Sequence, residues 1–233
     1  MTAANVFSTK SDVAYVELRR LILSGALPPG SRLSQYELAA SLGMSITPLR
    51  EAIRRLSSEH LVDLDTHRDA RVARMSAVEA RQLFEVRLSL DPSAAELAAA
   101  RRTDDDIAAM RAAAARLLPV TREWGDDALT AHREFHRTLY RASHNDVLIR
   151  LLDDLWDKSD RYRRVGLELP PGDEPRTRDL REHHQLVALV IDGDAAGATR
   201  LMREHIERSL TASAIAALEK REAQSAPEHT AAG

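Results

Sequence analysis

Apolar residues recur at helical spacing along almost the whole chain, and the breaks in that spacing separate two regions of different character. In Asp12–Ser24, Val13, Val16, Leu18, Ile22 and Leu23 predict a helix that Gly25 closes. The stretch Ala26–Arg32 is a Pro/Gly turn leading to a short extended piece at Arg32–Leu33. Leu38, Ala39 and Leu42 then mark a short helix, with Gly43 as a left-handed cap. Ser45 or Thr47 can cap the helix that follows, and Pro48 sits near its first turn, where a missing N–H costs nothing. That helix turns Leu49, Ala52, Ile53 and Leu56 inward and Arg50, Arg54 and Arg55 toward other faces. Two short helices about a glycine turn predict a helix-turn-helix, whose second helix enters the DNA major groove. Beyond it, Leu61–Leu64 and Arg71–Ala73 flank a polar tip and read as a small hairpin, a wing able to reach phosphates or the minor groove.

From Ala77 onward Gly and Pro become rare while Ala and Leu become dense. Helical patterns run through 77–101, 104–118, 126–142, 145–165, 176–192 and 195–219, and six helices with short connections predict an antiparallel bundle. The expected fold is mainly α: a winged helix-turn-helix with a small β wing over 11–75, then an all-α antiparallel bundle over 76–219. Residues 1–10 and 220–233 are expected to be disordered ends.

Composition narrows the function. With 44% hydrophobic and 30% charged residues, the chain reads as an ordinary soluble protein. No apolar run approaches the ~20 residues of a membrane span, and the N-terminus lacks a signal-peptide core. Cysteine is absent, which removes disulfides and thiolate chemistry and points to the cytoplasm. A net charge of −3 argues against indiscriminate coating of nucleic acid but permits a local basic face.

Six of the nine histidines lie in the second region: His132, His136, His144, His183, His184 and His205. His132 and His136, four apart, project from one helical face and suit two ligands to one metal, although surface histidines at that spacing are commonly solvated. The segment His132–His136 superficially suggests a zinc hydrolase. That helix, however, needs a general base directly after its first histidine, and Arg133 stands there. Glu134, two residues from His136, points to the opposite side of the helix, about 160° round, so an enzyme is not expected.

Several spaced motifs resemble the GntR family of bacterial transcription regulators, in the branch with an FCD effector domain. In the first region they are Tyr15, Ile22-x-x-Gly25, Pro29-Gly30-x-Arg32-Leu33, Leu38-Ala39, Ser45-x-Thr47-Pro48-x-Arg50-Glu51-Ala52 and Leu61-Val62. In the second they are Glu85-x-Arg87, Phe135-His136, Ser143-x-Asn145, Glu182-His183, Gly193-Asp194 and Met202-x-x-His205. The resemblance covers about residues 11–215, and the six-helix count is closer to its VanR-type than its FadR-type subgroup.

The resemblance implies a homodimer on double-stranded operator DNA, controlled by a small carboxylate effector near a divalent metal, with no membrane partner. Thr47 and Arg50 match positions that contact bases and backbone, and Ser45 caps the helix or holds a phosphate. Gln35 and Tyr36 are placed to touch the backbone, while Arg32 is either a phosphate contact or a solvated turn residue. Of Arg54 and Arg55, at least one is a phosphate or salt-bridge partner. Two positions depart from the family. Ile46 replaces a guanine-reading arginine and can press only on a thymine methyl, which predicts a changed operator preference. Asp69 replaces a wing glycine, so His67, Arg68 and Arg71 must compensate for a carboxylate near phosphate.

In the helical region the resemblance assigns metal ligation to His136, His183 and His205, with His132 where the family usually carries an aspartate. Losing that charge favours Zn or Ni over harder Mn. Arg87 matches an arginine facing the ligand pocket, or else forms a buried ion pair with Glu85, Asp91 or another carboxylate. Asn145 lines the pocket or caps the next helix. A dimer whose metal site is purely structural is the alternative within the same frame.

Overall fold

The computed structural model describes residues 9–64, 70–121, 125–168 and 173–225. The chain divides into two compact units, Met1–Met75 and Ser76–Gly233.

The first unit contains α1 (Lys10–Leu23), α2 (Gln35–Ser41), α3 (Ile46–Ser58), β1 (Val62–Leu64) and β2 (Ala70–Val72). Thr9 opens α1 with a capping box to Asp12, so its first amides are satisfied within one turn. Ser34 caps α2 through the Glu37 amide. Gly43, at φ +61, makes the left-handed turn between α2 and α3. Leu18 and Ile22 of α1 meet Leu49, Ile53 and Leu56 of α3 in one core with Val62 and Val72. Each such side chain contributes about 1.5–3 kcal/mol on burial, which is what holds two short helices at a fixed angle. β1 and β2 pair antiparallel, Val62 opposite Val72, and the segment before α2 joins them through an Arg32–Arg71 bridge. The wing thus gains a third extended edge where the sequence suggested an isolated extended piece. Its tip, with His67, Arg68 and Asp69, lies outside the described residues.

The second unit contains α4 (Ala77–Arg101), α5 (Asp104–Ala114), α6 (Gly125–Arg141), α7 (Asp146–Glu168), α8 (Asp173–Asp192), α9 (Ala195–Glu207) and α10 (Leu210–Ser225). Ala94, Ala95, Ala98 and Ala99 give α4 a small-residue face, and Ala198, Met202 and Ile206 of α9 share its core. Short side chains there allow close helix approach. Arg102 binds the Ile191 carbonyl at the end of α8, beside Gly193 at φ +76, and Asp194 caps α9. This fixed corner sets α8 and α9 side by side.

Three expectations are corrected. The run 195–219 is two helices, broken at Arg208–Ser209, so the described residues of this unit carry seven helices and the count behind the VanR-type placement does not hold. No Gly or Pro marks that break. Arg208 takes a non-helical cap conformation and reaches Glu182 at 3.1 Å, a tertiary contact no local pattern announces. Helix α5 ends at Ala114, four residues early. Finally, α10 continues to Ser225, past the expected start of disorder, because Glu219 pairs with Arg81 and Glu222 accepts from the Ala77 amide at 3.0 Å. Among the described residues no helix is long and apolar enough to cross a membrane.

Candidate metal centre and nucleic-acid interface

His132 and His136 lie one turn apart on α6, His183 comes from α8 and His205 from α9. Each offers a ring nitrogen within 4.8 Å of the others, and all four side chains are buried. Phe135 closes one side, its ring 4.8 Å from that of His183, and Trp156 of α7 lies 4.9 Å from His136 and 5.6 Å from His132.

Hydrogen bonding fixes the protons. The Asp91 carboxylate accepts from Arg87 Nε and Nη2 at 3.1 and 2.7 Å and from the Tyr140 hydroxyl at 2.8 Å. Having given its one proton to Asp91, Tyr140 must accept from His136 Nδ1, 3.0 Å away, so His136 carries its proton on Nδ1. His183 donates to the Asp179 backbone carbonyl, with Nδ1 facing that residue 3.7 Å from its carboxylate. His205 Nδ1 donates to Glu182 at 2.9 Å. Both His136 and His183 therefore present bare Nε2 lone pairs, and these face each other at 3.0 Å. With no proton to share, that approach is repulsive unless a cation lies with them. Outer hydrogen bonds of this kind are the usual means of aiming imidazoles at a metal.

The electrostatics agree. Burial pushes His132, His136 and His183 well below the ordinary histidine value, and neighbouring positive groups push them further, leaving the neutral form that ligates metals. Burial opposes the charge of Glu182, but His205, Arg208 and Arg178 outweigh it and hold the carboxyl below its usual value. Burial likewise opposes the charge of Arg87, and Asp91 overrides it.

Sequence reasoning missed three residues here. Asp179 stands 3.6 Å from His132 Nε2 and 3.6 Å from His205 Nδ1; its position four before His183 was the available signal. Tyr140, four after His136, is the second. Arg163 is the third, stacked 4.9 Å from the Trp156 ring that Arg87 approaches at 4.2 Å. Arg87 itself forms the Asp91 ion pair that sequence left as one of two options.

Of the two readings for Asn145, the structure shows the cap: its oxygen accepts from the Leu148 amide at the start of α7. It lies eleven residues before Trp156, about 16 Å along α7 from that residue. Glu134 pairs with Arg141 on a partly exposed face, away from the cluster.

In the first unit Ser45, Thr47, Arg50 and Arg54 are exposed at the start and along one side of α3. Ser45 makes no side-chain cap bond. Arg50 Nε donates to Gln35 at 2.9 Å, linking the two helices, and Tyr36 is 74% exposed beside them. Arg55 is the internal partner, pairing with Asp12 and Glu59 and covering the Tyr15 ring. Ile46 packs partly against the core, which narrows what it can offer a base. Arg71 Nη1 donates to the Gly30 carbonyl within the wing.

The family model for bacterial regulatory proteins of the gntR family matches residues 10–72, and that for the FCD domain matches 82–208. The chain is 28% identical over 198 residues to the HTH-type transcriptional repressor GlaR of Escherichia coli K12, covering 82% of this chain and 90% of that protein. It is 27% identical over 205 residues to the HTH-type transcriptional regulator McbR of the same organism, covering 83% and 88%. The solved structure of E. coli McbR/YncC superposes with a TM-score of 0.74 at 25% identity, over 93% of this chain and 100% of that one.

Proposed function

We propose a control mechanism for a chain that belongs to the gntR family of bacterial regulatory proteins and carries their FCD domain. It is a DNA-binding transcription regulator and not an enzyme. Our reading is that operator binding is governed by a small organic acid held beside a divalent metal in the helical unit. The observation that carries it is the approach of the His136 and His183 Nε2 atoms to 3.0 Å, inside a buried group of four imidazoles.

His132, His136, His183 and His205 would hold the ion, with Zn or Ni suited to four neutral nitrogen donors. When bound, the metal would supply a Lewis-acidic anchor for an effector oxygen. Tyr140, Asp179 and Glu182 would hold the rings in register through their outer nitrogens. Four imidazoles complete a tetrahedral set, which favours a second reading, a structural ion with no position left for a ligand; a six-coordinate ion such as Ni would leave two.

On the DNA side, Thr47 and Arg50 would reach base edges, while Ser45, Gln35, Tyr36, Arg32, Arg54 and Arg71 would hold phosphates, a role into which His67 and Arg68 would enter from the wing tip. One reading helix confers limited specificity, so a homodimer on a two-fold-symmetric operator is the natural unit. The effector would then shift the balance between dimer arrangements that differ in operator affinity. Repression is the sense printed for the GlaR relative, and we adopt it here.

Two measurements test this. Elemental analysis of the full chain after purification without chelator should find about one metal per chain, lost in the His136→Ala/His183→Ala double variant. A metal-free wild type would overturn the metal reading. Operator selection from random DNA should return symmetric half-sites, and Arg50→Ala should bind them about 10- to 100-fold more weakly, the scale of one lost base contact. Wild-type affinity in Arg50→Ala would remove that residue from the interface.

A further inference from the structure

We infer that Arg163, rather than Arg87, is the residue that grips the carboxylate of the effector, with Ser159 one turn before it as a second donor. The inference rests on the effector reading above and names the contact by which the same site would recognise its ligand. Both guanidinium groups lie over the Trp156 ring, at 4.2 Å for Arg87 and 4.9 Å for Arg163, and that ring also meets His132 and His136. The two arginines differ in what they have left to give. Arg87 directs both Nε and Nη2 at Asp91, which Tyr140 ties down further.

Arg163 is 3% exposed, and its Nη1 donates to Asp160 at 2.9 Å. Asp160 is itself shared with Arg133 at 3.3 Å, so its charge is divided between two cations. The Nη2 of Arg163 is buried without an acceptor among the described residues. Ser159 is fully buried, and its Oγ likewise lacks a partner among the described residues. Positions 159 and 163 lie one turn apart, on the face of α7 that Trp156 occupies. Native interiors rarely leave such groups unsatisfied, and a site missing an acceptor is a frequent reason.

The missing partner is an acceptor-only oxyanion. A carboxylate fits an arginine fork, and a divalent ion on four neutral imidazoles would add positive charge for it to offset. Free phosphate shares the acceptor chemistry, so it forms a separate arm of the test.

The full chain loaded with nickel, which leaves coordination positions open, is titrated with succinate, citrate and inorganic phosphate, following Trp fluorescence, to which Trp156 contributes, while metal content is measured on the same samples. Wild type should respond saturably to at least one carboxylate, more tightly than to phosphate. Arg163→Met should weaken that response about 10- to 100-fold at unchanged nickel content, with Arg163→Lys in between. Should Arg163→Met fail to fold, Ser159→Ala carries the test, with a loss of about 3- to 10-fold expected. Wild-type affinity in Arg163→Met, or in Ser159→Ala where that variant carries the test, overturns the assignment. So does tighter binding of phosphate than of either acid, or the absence of a saturable response to any acid. Nickel that fails to load while an Arg163-dependent acid response persists would overturn the metal reading and keep this one.

Discussion

Replacing Asp91 by alanine is expected to cost the helical unit about 3–5 kcal/mol, the scale of a buried ion pair stripped of one partner. Arg87 and Asp91 are 3% and 0% exposed, and the carboxylate is the acceptor for two Arg87 nitrogens and for Tyr140. Without it a guanidinium stays charged in the interior, and the Tyr140 hydroxyl loses its carboxylate acceptor. The double variant Arg87→Met/Asp91→Leu should recover most of the loss, since apolar side chains of similar volume avoid the desolvation cost. A residue of about 1–2 kcal/mol should persist from the Tyr140 hydroxyl, left without its acceptor. Both tryptophans belong to the second unit, so urea unfolding followed by Trp fluorescence reports it selectively. A single variant as stable as wild type, or a double variant worse than the single, would contradict this account.

In the metal-free protein stability should fall steeply below pH 6.5. Burial holds His132, His136 and His183 well below the ordinary value of 6.5. Above pH 6.5 neither folded nor unfolded chain protonates them, so they leave stability flat. Below it the unfolded chain takes up protons that the folded one refuses, so each imidazole removes about 1.4 kcal/mol per pH unit until its own depressed value is reached. Three together give an upper slope of about 4 kcal/mol per pH unit. Urea midpoints in chelator at pH 8, 7, 6 and 5.5 would show a plateau and then a drop; an unchanged midpoint at 5.5 would mean that these rings titrate normally.

The first unit was readable because its information is local. Gly43 fixes a left-handed turn, Leu49, Ala52, Ile53 and Leu56 fix the buried face of α3, and few arrangements satisfy both. The limits of the helices were less readable. The break at Arg208 follows from Glu182 on another helix, and the extension of α10 follows from Arg81 and the Ala77 amide on α4. At Asn145 the sequence left a pocket residue and a helix cap open, and the cap bond to the Leu148 amide is what the structure shows.

By itself the sequence determined the helix-turn-helix, the wing and the helical character of the second region, since periodicity and turn chemistry are written along the chain, while the four histidines came together as a set only through the family resemblance. Only the tertiary structure decided that His136 and His183 face each other with bare nitrogens, that Asp179 and Tyr140 stand around them, and that Arg87 is spent on Asp91 while Arg163 is not. Those facts depend on which donor meets which acceptor across different helices, and proton positions and burial exist only once the helices have packed.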